Sequence, residues 1–303
     1  MIIAITGGSG FIGRELVKHY LQTSHQVRIL SRKNLQNNNK FISFIGDLTD
    51  PNVNLSEFLD SVDILYHCAG EVVNEQLMNE LHINGTQRLI NQAKGNVSRW
   101  VQLSSVGAYG VCRSGVINEE SLEQPFGTYE ISKTSSDELV KKSGIPYTIL
   151  RPSIVFGSQM NNKSINKMIS MINNGMFFYI GKGGAKLNYI HVSKVVNSLI
   201  NCGNNTNAIG EVFIISQSIS IEKMVNIISR GHSNKKQVYR FSEWVIRSIV
   251  FILKFIPNFP LTPSRIDALT GRCIYNSTKI YKLLSFELKT SLEEDFRSLV
   301  KEK

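Results

Sequence analysis

A glycine-rich turn between an apolar strand and an amphipathic helix constrains the fold of this chain most. Residues 2–6 form an apolar, β-rich run, and residues 11–22 carry apolar side chains at helical spacing. The connection reads Thr6-Gly-Gly-Ser-Gly-Phe-Ile-Gly13. Its glycines permit a tight turn, a close approach of the backbone to a pyrophosphate and tight helix packing. The helix then offers amide donors to phosphates, and a turn without a ligand is the alternative. We therefore predict a dinucleotide site at Gly7, Gly10, Phe11, Ile12 and Gly13.

Strand and helix patterns continue to alternate through the first half of the chain. Apolar runs predict further strands at 27–30, 41–45, 62–67, 100–103 and 148–150, and helical stretches cover 75–93 and 129–142. This order predicts an α/β fold with a Rossmann-type, doubly wound parallel sheet. Shorter elements follow. We predict an NAD(P)-binding domain over residues 1–155 and a smaller α/β substrate-binding region over 156–303, with segments near 187–215 returning to the first domain.

The run Tyr129-Glu-Ile-Ser-Lys133 predicts hydride chemistry. Residues four apart lie on one face of a helix, so the phenol and the ammonium can converge. A free phenol has a pKa of about 10, and a nearby cation favours the phenolate and hence proton exchange with an alcohol or carbonyl. Such a pair alone would more often be an ordinary surface pair. Ser105 and the glycine loop, in this order, reverse that preference.

The end of the second strand predicts which dinucleotide binds. An NAD-specific domain places Asp or Glu there to accept hydrogen bonds from the ribose hydroxyls. This chain has Ser31-Arg32-Lys33, and a guanidinium can pair with a 2′-phosphate. NADP(H) is therefore the preferred cofactor and NAD(H) the second choice. A solvated pair of surface cations is the remaining interpretation.

Composition indicates which classes of binding partner the chain lacks. The net charge is +10, but the basic residues are dispersed and form no nucleic-acid reader motif, so we predict no nucleic-acid partner. The four cysteines are widely separated and form no metal-ligand spacing, so we predict no metal site and a reduced, cytoplasmic compartment. The glycine loop begins at Thr6, which leaves no room for a signal peptide.

Residues 244–256 form the most apolar stretch of the chain. The run WVIRSIVFILKFI is shorter than the roughly 20 residues that cross a bilayer, so we predict no transmembrane segment. Arg240, Glu243, Arg247 and Lys254 fall on one helical stripe and leave a broad apolar face opposite. We interpret the segment as a helix packed in the domain and keep a membrane-surface helix as the alternative.

The motifs of this chain, taken together, resemble those of a known family. The motifs that carry the resemblance run from the glycine loop through Gly46-Asp-Leu48, His67-Cys-Ala-Gly70, Asn84-Gly-Thr86, Ser104-Ser-Val-Gly-Ala-Tyr-Gly110, Tyr129-Glu-Ile-Ser-Lys133, Arg151-Pro-Ser-Ile-Val-Phe-Gly157 and Tyr189-Ile-His-Val192 to the tail at 275–294. In this order they resemble the extended short-chain dehydrogenase/reductases, specifically the NAD(P)-dependent sugar-nucleotide epimerase/dehydratase group. The resemblance covers nearly the whole chain and implies a homodimer formed through two helices of the cofactor domain.

The resemblance also implies roles for residues near the cofactor. Asp47 and Leu48 would flank the adenine, although Asp47 could simply cap a turn. Ala69 and Gly70 would let the cofactor pass close to the fourth strand, although they could also reflect tight packing. Asn84 would match the family's helix-distorting asparagine, which supports a water relay to the lysine.

The implied catalytic residues are Ser105, Tyr129 and Lys133. Ser105 would hydrogen-bond the reacting oxygen, Tyr129 would exchange the proton, and Lys133 would lower the tyrosine pKa and hold the nicotinamide ribose. The family's 4,6-dehydratases carry an Asp-Glu pair directly after the serine position, where this chain has Val106 and Gly107. Dehydration therefore lacks its acid and base, whereas a 4-epimerase or a ketoreductase needs only the three residues present.

The cofactor preference separates these two reactions. An epimerase returns its hydride and is usually built around retained NAD, whereas NADPH suits net reduction. We therefore predict NADPH-dependent reduction of a 4-keto (deoxy)sugar nucleotide, with 4-epimerisation as the close alternative. A reductase of non-sugar alcohols or ketones and a non-catalytic NADP(H)-sensing protein are further alternatives.

The substrate side is less constrained by the sequence. Arg265 and Arg272 would suit a substrate diphosphate, with a solvated surface as the plain alternative. A departure from the family pattern lies at Ser193-Lys194, where an acidic pair is common.

Overall fold

A computed structural model describes residues 1–33, 37, 40–160, 163–229, 238–253 and 261–301. Its strands are β1 Ile2–Thr6, β2 Gln26–Ser31, β3 Phe41–Ile45, β4 Val62–His67, β5 Val97–Leu103, β6 Ser114–Ile117, β7 Tyr147–Pro152, β8 Ile154–Phe156, β9 Tyr179–Ile180, β10 Lys186–His191, β11 Glu211–Ile215, β12 Gln217–Ser220, β13 Arg240–Phe241 and β14 Arg272–Tyr275. Its α-helices are α1 Phe11–Leu21, α2 Ser56–Leu59, α3 Glu75–Asn79, α4 Thr86–Ala93, α5 Thr128–Lys141, α6 Lys163–Asn173, α7 Val192–Asn204, α8 Ile221–Ser229, α9 Glu243–Leu253, α10 Pro263–Thr270, α11 Thr278–Leu284 and α12 Leu292–Lys301.

The main sheet confirms the predicted fold class. Within the described residues it has seven strands in the order β3-β2-β1-β4-β5-β7-β11, and every neighbouring pair is parallel. Its strands are apolar runs because helices cover both faces of a parallel sheet. One face packs against α1, α7 and α11, and the other against α2, α4 and α5. From β1 the chain adds β2 and β3 on one side and then β4, β5, β7 and β11 on the other, so the strand order reverses between β1 and β4. Ligands bind at such a reversal in open parallel sheets.

A second layer is built mainly from the later part of the chain. Strands β8, β10 and β12 form a small sheet whose apolar core includes side chains of α8 and α12. Phe156 and Phe296 stack in this core with ring centroids 4.5 Å apart. The chain then re-enters the main sheet at β11, which pairs with β7. The later part of the chain is therefore tied to the main sheet through β11 as well as through β7.

Lys194 stands where the family commonly carries an acidic residue, and it forms an ion pair inside the protein. Lys194 lies in the first turn of α7, and its Nζ donates to the Asp295 carboxylate at 2.5 Å and to the Thr290 carbonyl at 2.7 Å. Both charged side chains of this ion pair are largely buried. Lys194 thus ties α7 to α12.

Helix α9 differs from the predicted packed helix. Its buried residues are Ile246 and Val250, whereas Trp244 and Ile252 are 72% and 70% exposed. Of the predicted charged stripe, Arg240 lies in β13 and Lys254 outside the described residues. Glu243 and Arg247 of α9 contact each other, and Arg247 also contacts Asp267, so the broad apolar face points outward. Residues 254–256 of the predicted segment lie outside the described residues. Across the described ranges, no helix has both the length and the apolarity needed to cross a membrane.

Candidate active site

The glycine loop closes tightly against two backbone segments. Gly7 adopts a left-handed φ of +67°, and a Cβ built on it would lie 2.7 Å from the backbone of Cys68 and Ala69. A Cβ on Gly13 would lie 2.1 Å from the Gly7 carbonyl oxygen. No side chain caps Gly10 at the start of α1, and the first turn contains no acidic residue. The helix amides are thus left to an external anion, so this loop fits the pyrophosphate of a dinucleotide.

Gly13→Ala is expected to damage both stability and cofactor binding, because the new methyl group meets a backbone carbonyl that cannot rotate away. We expect the unfolding free energy to fall by about 1–3 kcal/mol, and the dinucleotide dissociation constant, measured by titration calorimetry, to rise by at least about tenfold. Gly183→Ala is the control, since its nearest neighbour would lie 3.5 Å away. Wild-type cofactor affinity in Gly13→Ala would contradict this account of the loop.

The end of β2 holds the predicted selector of the cofactor. Ser31 is buried, and its Oγ accepts a hydrogen bond from the Lys33 amide at 3.1 Å. Arg32 is exposed. Hydrogen bonds from the backbone amides of Val73 and its neighbours lower the pKa of Glu71, and the Arg32 charge lowers it further. Arg32 therefore stands close enough to Glu71, at the end of β4, for the two charges to interact.

The predicted adenine contacts lie at neighbouring strand ends. Asp47 accepts hydrogen bonds from the amide and hydroxyl of Thr49 at 2.9 and 2.8 Å, as a turn cap does. The Leu48 side chain is buried in the core. The Ala69 amide donates to Thr6 Oγ1 at 3.3 Å, and Gly70 is exposed. For Asp47 this geometry matches the plain turn-cap alternative, and the contacts of all four residues with a cofactor stay predictions.

The predicted catalytic groups meet at the end of β5. Ser105 follows that strand, and its Oγ accepts a hydrogen bond from the Gly107 amide at 3.1 Å, which caps a 3-10 turn over Val106–Tyr109. Helix α5 packs against this turn. Lys133 is buried, and its Nζ donates to the Leu103 carbonyl at 2.6 Å. Tyr129 lies one helical turn before Lys133, so the fold brings the three residues to one strand end.

The surroundings of Tyr129 shift the pKa of its phenol. Burial, followed by the negative charges of Glu130 and Asp137, raises its pKa to about 12. The Lys133 ammonium donates to the Leu103 carbonyl, and burial lowers the pKa of Lys133. The phenol of Tyr129 therefore carries its proton at neutral pH.

A buried ion pair behind Lys133 escaped the sequence analysis. Asp137, one turn beyond Lys133, accepts from Ser104 Oγ at 2.7 Å and from Arg151 Nε and Nη2 at 3.2 and 3.0 Å. Arg151 Nη1 also donates to Glu123 at 2.8 Å. Both Asp137 and Arg151 are fully buried. The available signal was the helical stripe 129, 133, 137, which places this carboxylate in line with the catalytic pair.

His82 also contacts the site and was missed. Its Nε2 accepts a hydrogen bond from the Glu71 amide at 2.9 Å, so Nδ1 carries the proton and donates to Ser132 Oγ at 2.8 Å. The ring lies edge-on to Tyr129 with centroids 5.7 Å apart. Burial and then the Lys133 charge lower the His82 pKa to about 3. His82 is therefore a neutral positioning group beside the phenol.

Asn84 lies in a distorted helix. A π-helical distortion spans Glu80–Gly85, at the position that the resemblance implied. The Asn84 side chain is exposed, however, and its Nδ2 donates to Glu80 Oε2 at 2.6 Å. Helical spacing separates the two residues, because His82 shares the buried stripe of Leu89 and Ala93 whereas Asn84 does not. The water relay to Lys133 that the resemblance implies for Asn84 stays a prediction.

Glu130 supplies a carboxylate that the sequence argument overlooked. A Cβ on Gly107 would lie 2.6 Å from Glu130 Cγ and 3.3 Å from Ser105 Oγ. The Glu130 side chain therefore fills the space beside the serine that a side chain at residue 107 would occupy. The missing Asp-Glu pair at 106–107 thus does not leave the folded site without a carboxylate, and the argument against dehydration is weaker than the sequence indicated.

The two predicted substrate arginines lie apart from these groups. Arg272 Nη2 donates to the Gly183 carbonyl at 2.6 Å and lines a cavity of about 750 Å³ with Lys182, Arg240 and Trp244. Arg265 is exposed on α10 and is not part of that lining. Another cavity of about 640 Å³ opens between the start of α1 and α12. Neither of these two cavities is lined by the catalytic residues at the end of β5.

Comparison with known proteins supports this arrangement. The model of the NAD dependent epimerase/dehydratase family matches residues 3–216, from β1 to the end of β11. The chain belongs to this family. The predicted resemblance to extended short-chain dehydrogenase/reductases is thereby confirmed, and with it the prediction of an NAD(P)-dependent enzyme.

Two curated relatives differ in what they act on. UDP-glucose 4-epimerase of Vibrio cholerae is 22% identical and spans 97% of this chain and 93% of its own length. Sterol-4-alpha-carboxylate 3-dehydrogenase, decarboxylating, of Dictyostelium discoideum is 27% identical over 62% of this chain. The match covers 63% of that dehydrogenase. Sequence similarity therefore reaches both sugar-nucleotide and non-sugar enzymes of the family.

Solved structures share the whole fold. UDP-glucuronic acid 4-epimerase from Bacillus cereus, in complex with NAD, superposes with a TM-score of 0.77 at 20% identity and covers 100% of this chain and 99% of its own. The Bordetella bronchiseptica enzyme WbmG, also in complex with NAD, gives 0.79 at 18% identity over 99% of this chain and 93% of its own. At these identities the likeness establishes the fold alone.

Proposed function

We propose that this protein reduces the 4-keto group of a (deoxy)sugar carried by a nucleoside diphosphate, with NADPH as the reductant. The observation that carries the proposal is the convergence of Ser105 and Lys133 at the end of β5, with Tyr129 one helical turn before the lysine. A hydroxyl, a phenol and an ammonium together provide the groups that ketone reduction needs. In reduction, the protonated phenol of Tyr129 would give the carbonyl oxygen the proton that it must receive as it becomes an alcohol.

Each residue has a separate role in this proposal. Ser105 Oγ donates a hydrogen bond to the substrate carbonyl oxygen and orients it, and Tyr129 donates its proton to the same oxygen. Lys133, fixed by the Leu103 carbonyl, stabilises the negative charge left on the phenol. His82 and Ser132 hold the tyrosine in place. When bound, the dinucleotide supplies the hydride.

We propose that residues at and near the strand ends bind the cofactor and the substrate. The first-turn amides of α1 hold the pyrophosphate, residues 31–32 the 2′-phosphate, residues 47–48 the adenine, and residues 69–70 leave room for the cofactor. We keep Arg265 and Arg272 as proposed ligands of the substrate diphosphate. The homodimer and the cytoplasmic location remain predictions.

4-Epimerisation with NAD is the second candidate. The Vibrio cholerae relative is named as a UDP-glucose 4-epimerase, and the Bacillus cereus neighbour is a 4-epimerase in complex with NAD. Glu71 also favours NAD, because a carboxylate beside Arg32 competes with a 2′-phosphate for the guanidinium. The Dictyostelium dehydrogenase keeps a non-sugar alcohol or ketone as a third candidate. A non-catalytic NADP(H)-sensing protein has the least support, since Ser105, Tyr129 and Lys133 are all present.

A substrate panel tests the proposal directly. The protein is mixed with NADPH or NADH and with UDP-, dTDP- and GDP-linked 4-keto and 4-hydroxy sugars, and nicotinamide absorbance and product identity are followed. Oxidation of NADPH with a 4-keto sugar supports reduction. Conversion of a 4-hydroxy sugar to its C4 epimer by protein that retains NAD, with no cofactor added, would replace reduction by epimerisation.

Arg32→Gln is expected to weaken NADPH selectively. A charge-assisted hydrogen bond contributes about 1.5–3 kcal/mol, so the dissociation constant of NADPH should rise by about 10- to 100-fold while that of NADH stays near its wild-type value. Lys33→Gln is the matched control, because it removes the same charge one residue later. An unchanged ratio of the two dissociation constants in Arg32→Gln would remove the argument for NADPH.

A further inference from the structure

Helix α9 turns an uncharged, largely apolar face to the solvent. Trp244 is 72% exposed and Ile252 is 70% exposed. At about 3.6 residues per turn, these two share a stripe with Ser248, and Val245 and Ile249 lie beside it. None of these five side chains carries a charge. Exposed apolar area of this kind, concentrated on one element, marks an interaction surface.

The opposite side of α9 explains this orientation. Ile246 and Val250 are the side chains that pack into a small apolar core under the helix. Arg247 donates to Glu243 at 2.9 Å and to Asp267 of α10 at 2.6 Å. The charges of the helix are thus used in contacts with the protein, which reverses the usual orientation of a surface helix.

Cations adjoin the apolar face. The cavity of about 750 Å³ is lined by Trp244 and Phe241 and by the basic side chains of Lys182, Arg240 and Arg272. Arg240 pairs with Glu222, but Lys182 and Arg272 form no ion pair with any residue in the described ranges. The chain as a whole carries a net charge of +10. This edge therefore combines an apolar stripe with positive charge.

We propose that the exposed face of α9 and the basic cavity beside it form a docking surface for an anionic lipid bilayer. The indole of Trp244 suits the boundary between headgroups and acyl chains, and Ile252 and Ile249 enter the apolar layer with it. Lys182 then meets the headgroup phosphates. The helix lies in the plane of the membrane surface and does not span it.

Charge favours a bilayer over a second copy of the chain. A two-fold symmetric contact through α9 would bring the same surface of both copies together, so the interface would gather Lys182 and Arg272 of both copies. Like charges oppose such a contact, whereas anionic headgroups complement them. Docking would hold the Arg272 cavity at the membrane surface. The inference stands on this surface alone and does not depend on which reaction the protein performs.

Tryptophan fluorescence tests the docking directly, because the chain has two tryptophans and the other, Trp100, is 0% exposed. Vesicles of phosphatidylcholine and phosphatidylglycerol are added to the full-length protein. The emission is expected to shift to shorter wavelength as Trp244 leaves water, and less so with phosphatidylcholine alone. An emission spectrum that neither vesicle changes would overturn the proposal.

Two matched isoleucine variants distinguish vesicle binding through α9 from nonspecific vesicle binding. In vesicle flotation, Ile252→Asp is expected to lower the affinity by about tenfold or more. Ile209→Asp adds the same charge at another exposed isoleucine, next to the start of β11, and should bind as the wild type does. Lys182→Gln should weaken binding to the anionic vesicles about fivefold. Melting temperatures check that each variant is folded.

Two further outcomes would contradict docking of α9 to a bilayer. One is equal vesicle binding by Ile252→Asp and Ile209→Asp. The other is a wild-type dimer in solution that Ile252→Asp dissociates while vesicles leave the wild type unbound, since the face would then be covered by a second copy. Neither outcome bears on hydride transfer, which the substrate panel measures separately.

Discussion

Tyr129→Phe should lower kcat about a thousandfold, within the range of about 10² to 10⁴ that a positioned proton donor contributes. In the proposed reaction the phenol donates its proton to the substrate oxygen, and it carries that proton at neutral pH because burial raises its pKa to about 12. Removing the hydroxyl leaves the ring and its edge-on contact with His82 in place. The fold and the glycine loop should therefore be unchanged, and the dissociation constant of the dinucleotide should stay near the wild-type value.

Tyr189→Phe is the matched control for this experiment. Burial also raises the pKa of Tyr189 to about 12, but this residue lies in β10 and packs against Phe156 and Phe296. Its kcat should equal that of the wild type. Steady-state kinetics with the substrate found in the panel, together with calorimetric cofactor titration, give both readouts. Substantial turnover by Tyr129→Phe would refute the proposed role of the phenol.

Asp137→Leu should lower the free energy of unfolding by about 3–5 kcal/mol, because it leaves the buried Arg151 guanidinium without its main partner. Asp137 also accepts a hydrogen bond from Ser104 Oγ, so the variant leaves the Ser104 hydroxyl without this partner as well. Glu123 retains its contact with Arg151, which keeps the loss toward the lower end of that range. Urea denaturation followed by circular dichroism measures the change.

Two companion variants test the physical reason. Glu138→Leu, at the next position of α5, removes a surface ion pair with Lys141 and should cost at most about 0.5 kcal/mol. The double variant Asp137→Leu/Arg151→Met should recover much of the lost stability, since an apolar pair of similar size avoids the desolvation of both charges. If Asp137→Leu costs no more than Glu138→Leu, the ion pair is not a major source of stability.

Local pattern accounts for how well the first half of the chain could be predicted. The predicted strands at 41–45 and 62–67 coincide with β3 and β4, and the first helix differs from α1 by one residue. Apolar runs and glycine spacing are properties of neighbouring residues, so they can be read before any tertiary contact is known. The same holds for Ser105, Tyr129 and Lys133, whose order along the chain carried the prediction of hydride chemistry.

The sequence did not reveal residues whose role depends on distant partners. Asn84 and His82 are two residues apart, and only the packing of the π-helix against α5 decides that His82 points inward. Glu130 enters the site because Gly107, far away in sequence, leaves it space. The Leu103 carbonyl, which accepts a hydrogen bond from the Lys133 ammonium, likewise lies on another element, β5.

By itself the sequence determined the parallel α/β fold, the glycine loop and the family, because these depend on residue type and spacing over short distances. The glycine loop in particular needs no tertiary information beyond the strand before it and the helix after it. Only the tertiary structure decided the protonation state of Tyr129, the buried partner of Arg151 and the outward face of α9. Burial and long-range charge set all three, and neither is defined until elements far apart in the chain are packed together.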